Sequence, residues 1–395
     1  MNMATGKMQT GKLDTSERGE QLSLLRESAG KFCKVEVHVG RSRRLRGTTP
    51  GYDRDVWRQL AELGWLGIHI PERLGGLGLG SAEMAVICEA AGRALFPEPI
   101  VAAVMASGAI LHGDNESLKQ ALLPIFVSGD LLPALAWREE GHQCDLFSVN
   151  TIARHVQGKI ELSGTKMLVV GGAGADGYVV SARSDAGIAL YWLPGELAAP
   201  GLSHIELADG RTAVELRLGC VSIPDKYQIA RPGLAESVLL RIYDEALINT
   251  SAELLGVLSR AFEITLDYLR TRVQFGKLIG SYQALQHRAA DLYAVQLMSR
   301  CALNEVLEKV GDVTLTPEAR GALASRVKAR CADSSLRVTR EAIQMHGAIG
   351  FSDECDVGLY LKRAVTLSAW LGGGDVQRRR FARLAPQADH AEAEA

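Results

Sequence analysis

Residues 212–269 read TAVELRLGCVSIPDKYQIARPGLAESVLLRIYDEALINTSAELLGVLSRAFEITLDYL, and the hydrophobic period changes within them. Before Pro224, Val214, Leu216 and Leu218 alternate with Glu215 and Arg217, which is the pattern of a half-buried antiparallel strand. After Pro232, Leu254, Leu258, Phe262, Leu266 and Leu269 recur every three or four residues, which is one stripe of a helix. A strand block therefore hands over to a helical block near residue 231.

Working towards the N-terminus, GKIELSGTKMLVV (158–170), ADGYVVSAR (175–183) and GIALYWLP (187–194) are short apolar runs separated by Gly, Pro and Asp turns. Earlier still, DVWRQLAELGWLGIHI and SAEMAVICEAAGRALF carry helical spacing. The glycine-rich stretch between them, residues 71–80, follows no strand and lacks a Lys-Ser/Thr, so it reads as an interhelical turn and not a phosphate loop. Towards the C-terminus Leu285, Ala289, Leu292 and Val295 begin a second stripe, and Thr316-Pro317-Glu318 starts a helix running towards Gln344. Strands and helices do not alternate, so a Rossmann fold is excluded. The expected fold is α+β: an N-terminal helical domain (16–130), a middle antiparallel, barrel-like β domain (131–230) and a C-terminal four-helix bundle (231–384). Residues 385–395, rich in Ala and Glu, form an expected disordered tail.

Lys and Arg (44) nearly balance Asp and Glu (46), so no overall field attracts nucleic acid or an anionic membrane. The seven cysteines are scattered without a CxxC pair, which argues against a disulfide framework and a zinc site and favours the cytoplasm. No apolar run reaches membrane-spanning length, and the first twenty residues lack a signal-peptide core.

Two segments carry the chemistry. DYLRTRVQFGKLIGSYQALQHRAADLY (267–293) and EAIQMHGAIGFSDECDVGLYLKRAVTLSAWLGGGDVQRRRFA (341–382) closely resemble the acyl-CoA dehydrogenase family, with its R-x-Q-F-G-x-x-I-x-x-x-Q and Q-x-x-G-x-x-G signatures. The resemblance spans about residues 20–382. It implies FAD as cofactor, α,β-desaturation of an acyl-CoA thioester, an electron-transfer flavoprotein as acceptor, and a homo- or hetero-oligomer built as a dimer of dimers. Arg272 offers a guanidinium fork suited to a pyrophosphate, and in the family this position reaches the FAD of a neighbouring subunit. Phe275 would pack near the adenine, with Gln274 and Gln283 bonding its edges or the ribityl-phosphate chain. Gln344 and Gly347 belong to the facing loop, where glycine permits close backbone approach. Gly373 and Asp375 would lie near the flavin or adenosine part.

The family's catalytic glutamate falls on Leu371, which accepts no proton. An alternative position on the first C-terminal helix falls on Ala246, beside Asp244 and Glu245. Glu245 is the candidate base, although a one-residue shift on a helix turns a side chain by about 100°. The family's GxKxWIT strand reads Gly164-Thr-Lys-Met-Leu-Val-Val170, so Leu168 and Val170 replace the flavin-facing tryptophan and threonine. Its TEPxxGSD loop reads REEGHQCD (138–145). These departures resemble the β-type subunits of bacterial heteromeric acyl-CoA dehydrogenases, whose partner supplies the base. The alternatives are a non-catalytic structural subunit and a flavin oxidase or monooxygenase on the same scaffold. His287 and His346 read as cofactor contacts or packing, and Cys144 as an inert buried thiol.

Overall fold

The computed structural model describes residues 15–35, 39–141, 144–312 and 314–385. The tail expected to be disordered falls almost wholly on residues 386–395, outside the described residues.

Six helices come first: α1 (Thr15–Val35), α2 (Val39–Leu45), α3 (Arg54–Glu62), α4 (Ser81–Ala94), α5 (Ile100–His112) and α6 (Glu116–Val127). Asp53 caps α3 by accepting from the Asp55 N–H, and its Val56, Trp57, Leu60 and Ala61 face is buried. Almost every residue of α5 is buried, so it runs through the centre of the molecule.

The strands are β1 (Pro133–Ala136), β2 (Ile152–Val156), β3 (Lys159–Val170), β4 (Gly177–Ser184), β5 (Gly187–Pro194), β6 (Leu202–Glu206), β7 (Thr212–Pro224) and β8 (Gln228–Ala230), with the short helix α7 (Gly195–Ala198) after β5. They form one sheet in the order β6-β7-β3-β2-β4-β5-β8, with β1 added beside β4. This corrects the wholly antiparallel expectation. β1 and β4 are parallel, as is the single β2–β4 bridge, because the chain leaves β1 through a long loop before re-entering the sheet. On β7, Val214, Leu216 and Leu218 are buried as the alternation predicts.

The remaining chain is α8 (Ala235–Thr271), the hairpin β9 (Val273–Gln274) and β10 (Lys277–Leu278), α9 (Gln283–Lys309), α10 (Pro317–His346), α11 (Val357–Ala369) and α12 (Gly374–Leu384). Thr316 caps α10 through the Ala319 N–H and Pro317 takes the first turn, as the sequence predicts. The helical domains join where α4 crosses α8. A Cβ at Gly92 would lie 2.0 Å from the Glu253 carbonyl oxygen, and one at Gly256 would lie 2.1 Å from that of Glu89. Each helix thus places a glycine under the other's backbone, and no larger residue fits either notch.

Candidate functional site

The two motif segments meet at one end of the C-terminal bundle. Tyr268, on the last turn of α8, stacks on His346, on the last turn of α10, with centroids 4.3 Å apart and planes at 20°. His346 also holds Ala342 O through Nδ1 at 2.7 Å, so its role here is packing. Burial pulls its pKa below the usual histidine range. His287 is exposed on α9.

Around this joint, Arg272, Gln274, Phe275 and Gln283 surround the β9–β10 hairpin, while Gln344 and Gly347 end α10. All six are exposed. Phe275 is 91% exposed and sits at φ 53°, and Gly347 turns the chain at φ 69°. The side chains of Arg272, Gln274, Gln283 and Gln344 have no hydrogen-bond or ion-pair partner among the described residues. Donors, an aromatic ring and an open glycine are thus presented outward, which suits a cofactor completed by another chain.

The loop before α12 is built differently. Leu371 is 1% exposed at φ 60°, followed by Gly372 at φ 87°. A left-handed leucine costs about 1–2 kcal/mol, and buried donors hold it there. Leu371 O accepts from the Tyr243 hydroxyl at 2.6 Å and from Gln377 Nε2 at 2.5 Å. Lys328 Nζ donates to Ser368 O at 3.2 Å and Gly372 O at 3.3 Å. Gly373 is half-buried at the N-cap of α12. Asp375 is exposed and paired with Arg378, which also reaches Asp333.

Above this loop the space is filled. Trp137 meets Tyr243 edge-on at 6.1 Å. Trp137, Leu168, Val170 and Trp370, with Ala102, Met105 and Leu135, enclose a cavity of only about 10 Å³. A second cavity, also about 10 Å³, shares Val170 and Trp370 and reaches Glu253 and Arg211. Each holds at most one water molecule. Leu168 lies where the β3–β7 ladder shifts register, at φ 49°. Glu139 accepts from Lys166 Nζ and Thr151 Oγ1, both at 2.7 Å. Cys144 is half-buried, and burial raises its thiol.

The acidic pair on α8 diverges. Asp244 is 1% exposed between Arg380, at 2.6 Å, and Arg320, at 3.3 Å. Burial nevertheless raises its pKa, against the pull of both guanidiniums. Glu245 pairs with Arg241 at 3.1 Å, and its charge acts on His112 at the end of α5. Tyr243 faces Leu371, and two residues along a helix turn a side chain by about 200°. The structure therefore does not bring Glu245 and Leu371 together.

Sequence reasoning missed Tyr243, Trp137 and Lys328. The signal for Lys328 was a lysine on the stripe Ser325, Lys328, Cys331, which is wholly buried. Burial pulls its ammonium down to about 8. Between pH 8 and 10.5 the unfolded chain holds a proton at this lysine that the folded chain has released. Stability from this group therefore rises with pH across that window. Denaturation of wild type and Lys328→Met should show the wild type gaining on the variant from pH 8 to 10.5, with a constant difference below pH 8. A flat difference throughout would contradict the assignment.

Comparison with known proteins agrees with this geometry. The profile described as "Acyl-CoA dehydrogenase, N-terminal domain" matches residues 19–130, and "Acyl-CoA dehydrogenase, C-terminal domain" matches residues 241–385. Acyl-CoA dehydrogenase IpdE2 of Mycobacterium tuberculosis is 30% identical over 346 residues, covering 87% of this chain and 91% of the relative. The chain belongs to the acyl-CoA dehydrogenase family. Acyl-CoA dehydrogenase FadE27 of the same organism is 28% identical, covering 84% and 88% of the two chains. Among solved structures, a variant of the Tcur3481-Tcur3483 steroid ACAD superposes with a TM-score of 0.82 at 30% identity, covering 93% and 98%. The ChsE4-ChsE5 complex of Mycobacterium tuberculosis gives 0.82 at 26%, covering 95% and 98%. The cofactor of the family is FAD. In this chain the exposed donors around the β9–β10 hairpin suit its charged groups, whereas the two cavities lined by Val170 and Trp370, about 10 Å³ each, have no room for a flavin ring. No helix among the described residues is long and apolar enough to cross a membrane.

Proposed function

We propose that this chain is the β-type half of a heteromeric acyl-CoA dehydrogenase that desaturates bulky cyclic or steroid side-chain acyl-CoA thioesters, with an electron-transfer flavoprotein as acceptor. The observation that carries the reading is the pair of 10 Å³ cavities lined by Val170, one of them also by Leu168, the positions at which the family resemblance places the flavin. Trp137 and Trp370 occupy that space, and Leu371 replaces the base. FAD, when bound in the complex, supplies the hydride acceptor. This chain's part is to grip it: Arg272 would meet the pyrophosphate, Gln274, Gln283 and Gln344 would bond its polar edges, and Phe275 would cover the adenine. The partner's carboxylate takes the α-proton. The substrate class rests on the steroid ACAD among the similar structures.

Exposed apolar side chains on the same end favour a partner subunit. Tyr293, Leu297 and Met298 on α9, Val273 and Leu278 on the hairpin, and Phe351 are all between 45% and 82% exposed. A structural subunit without cofactor would have no use for the unpartnered Arg272 fork.

The chain purified alone should be colourless. Co-expressed with an α-type partner, it should yield one FAD per heterodimer, bleached anaerobically by a bulky acyl-CoA. Glu245→Gln should leave that bleaching within about twofold, because its carboxylate is remote from the loop. Stoichiometric FAD in the isolated chain, reducible by a thioester in wild type but not in Glu245→Gln, would replace this reading with a self-sufficient enzyme.

A further inference from the structure

We infer that α2 and the residue after it form a clasp on the segment Gly347–Phe351, so that Arg43, on α2, and Arg46, just past its end, are positioning residues for the FAD-facing edge. This rests on the proposed β-type role. The segment touches α10 closely at Gly350, which is buried and where a Cβ would lie 2.7 Å from Ile343 O, but Gly347, Ala348 and Ile349 are exposed and Phe351 is 82% exposed. Beyond that one contact its position is set at its two ends. One end is the Tyr268–His346 stack. The other is Ser352–Asp356, whose Asp356 is held by Arg43 of α2 and whose Asp353 is held by Arg46 just past its end.

Arg46 grips Asp353 with both terminal nitrogens, at 2.9 and 2.8 Å. Arg43 Nη1 lies 2.7 Å from Asp356 Oδ1. Such pairs are weak when each partner is a free surface side chain. Here Arg43 lies on one short helix and Arg46 follows its last residue, and that helix is fixed elsewhere. Arg41 is 5% exposed and forms a double hydrogen bond to Glu98, itself 3% exposed. Ser42 Oγ donates to Leu95 O at 2.7 Å. The stem of Arg46 also lies on the turn of the β6–β7 hairpin, where a Cβ at Gly210 would be 2.4 Å from Arg46 Cγ. Thr212 Oγ1 donates to Thr48 O just beyond. Arg43 and Arg46 thus carry the rigidity of the N-terminal and β domains to a loop of the C-terminal domain. A bidentate Arg–carboxylate fork fixes direction as well as distance, which a single lysine contact does not.

The test uses the full chain, alone and in complex. In Arg43→Ala/Arg46→Ala, amide hydrogen exchange across residues 348–352 should accelerate about fivefold, while the buried middle of α10 keeps its wild-type protection. Release of FAD from the complex should accelerate by a similar factor. The charge exchange Arg46→Asp with Asp353→Arg should restore both rates towards wild type, which a general loss of stability would not allow. Unchanged exchange in residues 348–352, or a charge exchange that restores nothing, overturns the clasp and leaves the β-type reading standing. Faster exchange in the double variant, with a wild-type complex that holds no FAD, supports the clasp as a holder of the loop and overturns the β-type reading.

Discussion

Replacing Arg363 by methionine should lower the stability of the chain by about 3–5 kcal/mol. Arg363 is 3% exposed on α11, with Nε 2.7 Å from Asp209 Oδ2 and Nη1 3.0 Å from Glu253 Oε1. Nη1 also donates to Phe96 O at 2.8 Å. One guanidinium therefore joins the β6–β7 hairpin, the middle of α8 and the loop after α4. Burial alone would raise Asp209, but Arg211 and Arg363 outweigh it and hold the carboxyl below the usual range. Stability from Asp209 is thus present above the ordinary aspartate pKa and is lost as pH falls through its depressed value. Without Arg363, Asp209 keeps Arg211 at 2.7 Å, whereas Glu253 is left buried without a cation. Urea unfolding at neutral pH should move the midpoint without changing the slope. Adding Glu253→Gln should recover part of the loss by removing the unpaired charge. A loss under about 1 kcal/mol would show that the pair only balances its own desolvation.

Arg272→Ala in the complex should weaken FAD binding about 10- to 100-fold, the scale of a lost charge-assisted contact of about 1.5–3 kcal/mol. The chain alone should unfold as wild type does, because the Arg272 side chain is exposed and has no partner among the described residues. Titration of the apo-complex by flavin fluorescence measures the first quantity, and thermal unfolding of the single chain measures the second. Arg270→Ala is the control: it lies two residues away, exposed, and pairs with Asp267 at 3.4 Å. Equal FAD affinity in the Arg272 and Arg270 variants would remove Arg272 from the cofactor site. Arg272→Lys should recover only part of the affinity, since an ammonium cannot span two phosphate oxygens.

Local patterns told most of the fold. Helical stripes on α8 and α9, the Thr316 cap of α10 and the alternation on β7 depend on residues within a turn or a strand of each other, and these are legible in order along the chain. The strands β1, β2, β6 and β8 were not, because runs of three to five residues carry too few periods to separate from loop. The motifs at Arg272 and Gln344 were readable as two segments, but only the Tyr268–His346 stack shows them forming one face. That a leucine stands where the resemblance puts the family's glutamate was likewise written at position 371.

What occupies the pocket was not. Trp137 and Trp370 are separated by most of the chain, and neither is unusual in its own neighbourhood. Lys328, Tyr243 and Gln377 become a set only when α8, α10 and α12 converge on the carbonyls of residues 368–372. The sequence by itself determined the order of the longer helices and strands, because that follows from local periodicity, and the two segments that carry the family resemblance, because those are contiguous in the chain. Only the tertiary structure decided that the inner pocket is closed, because closure is a matter of volume shared by side chains distant in sequence, and packing leaves no periodic trace of it.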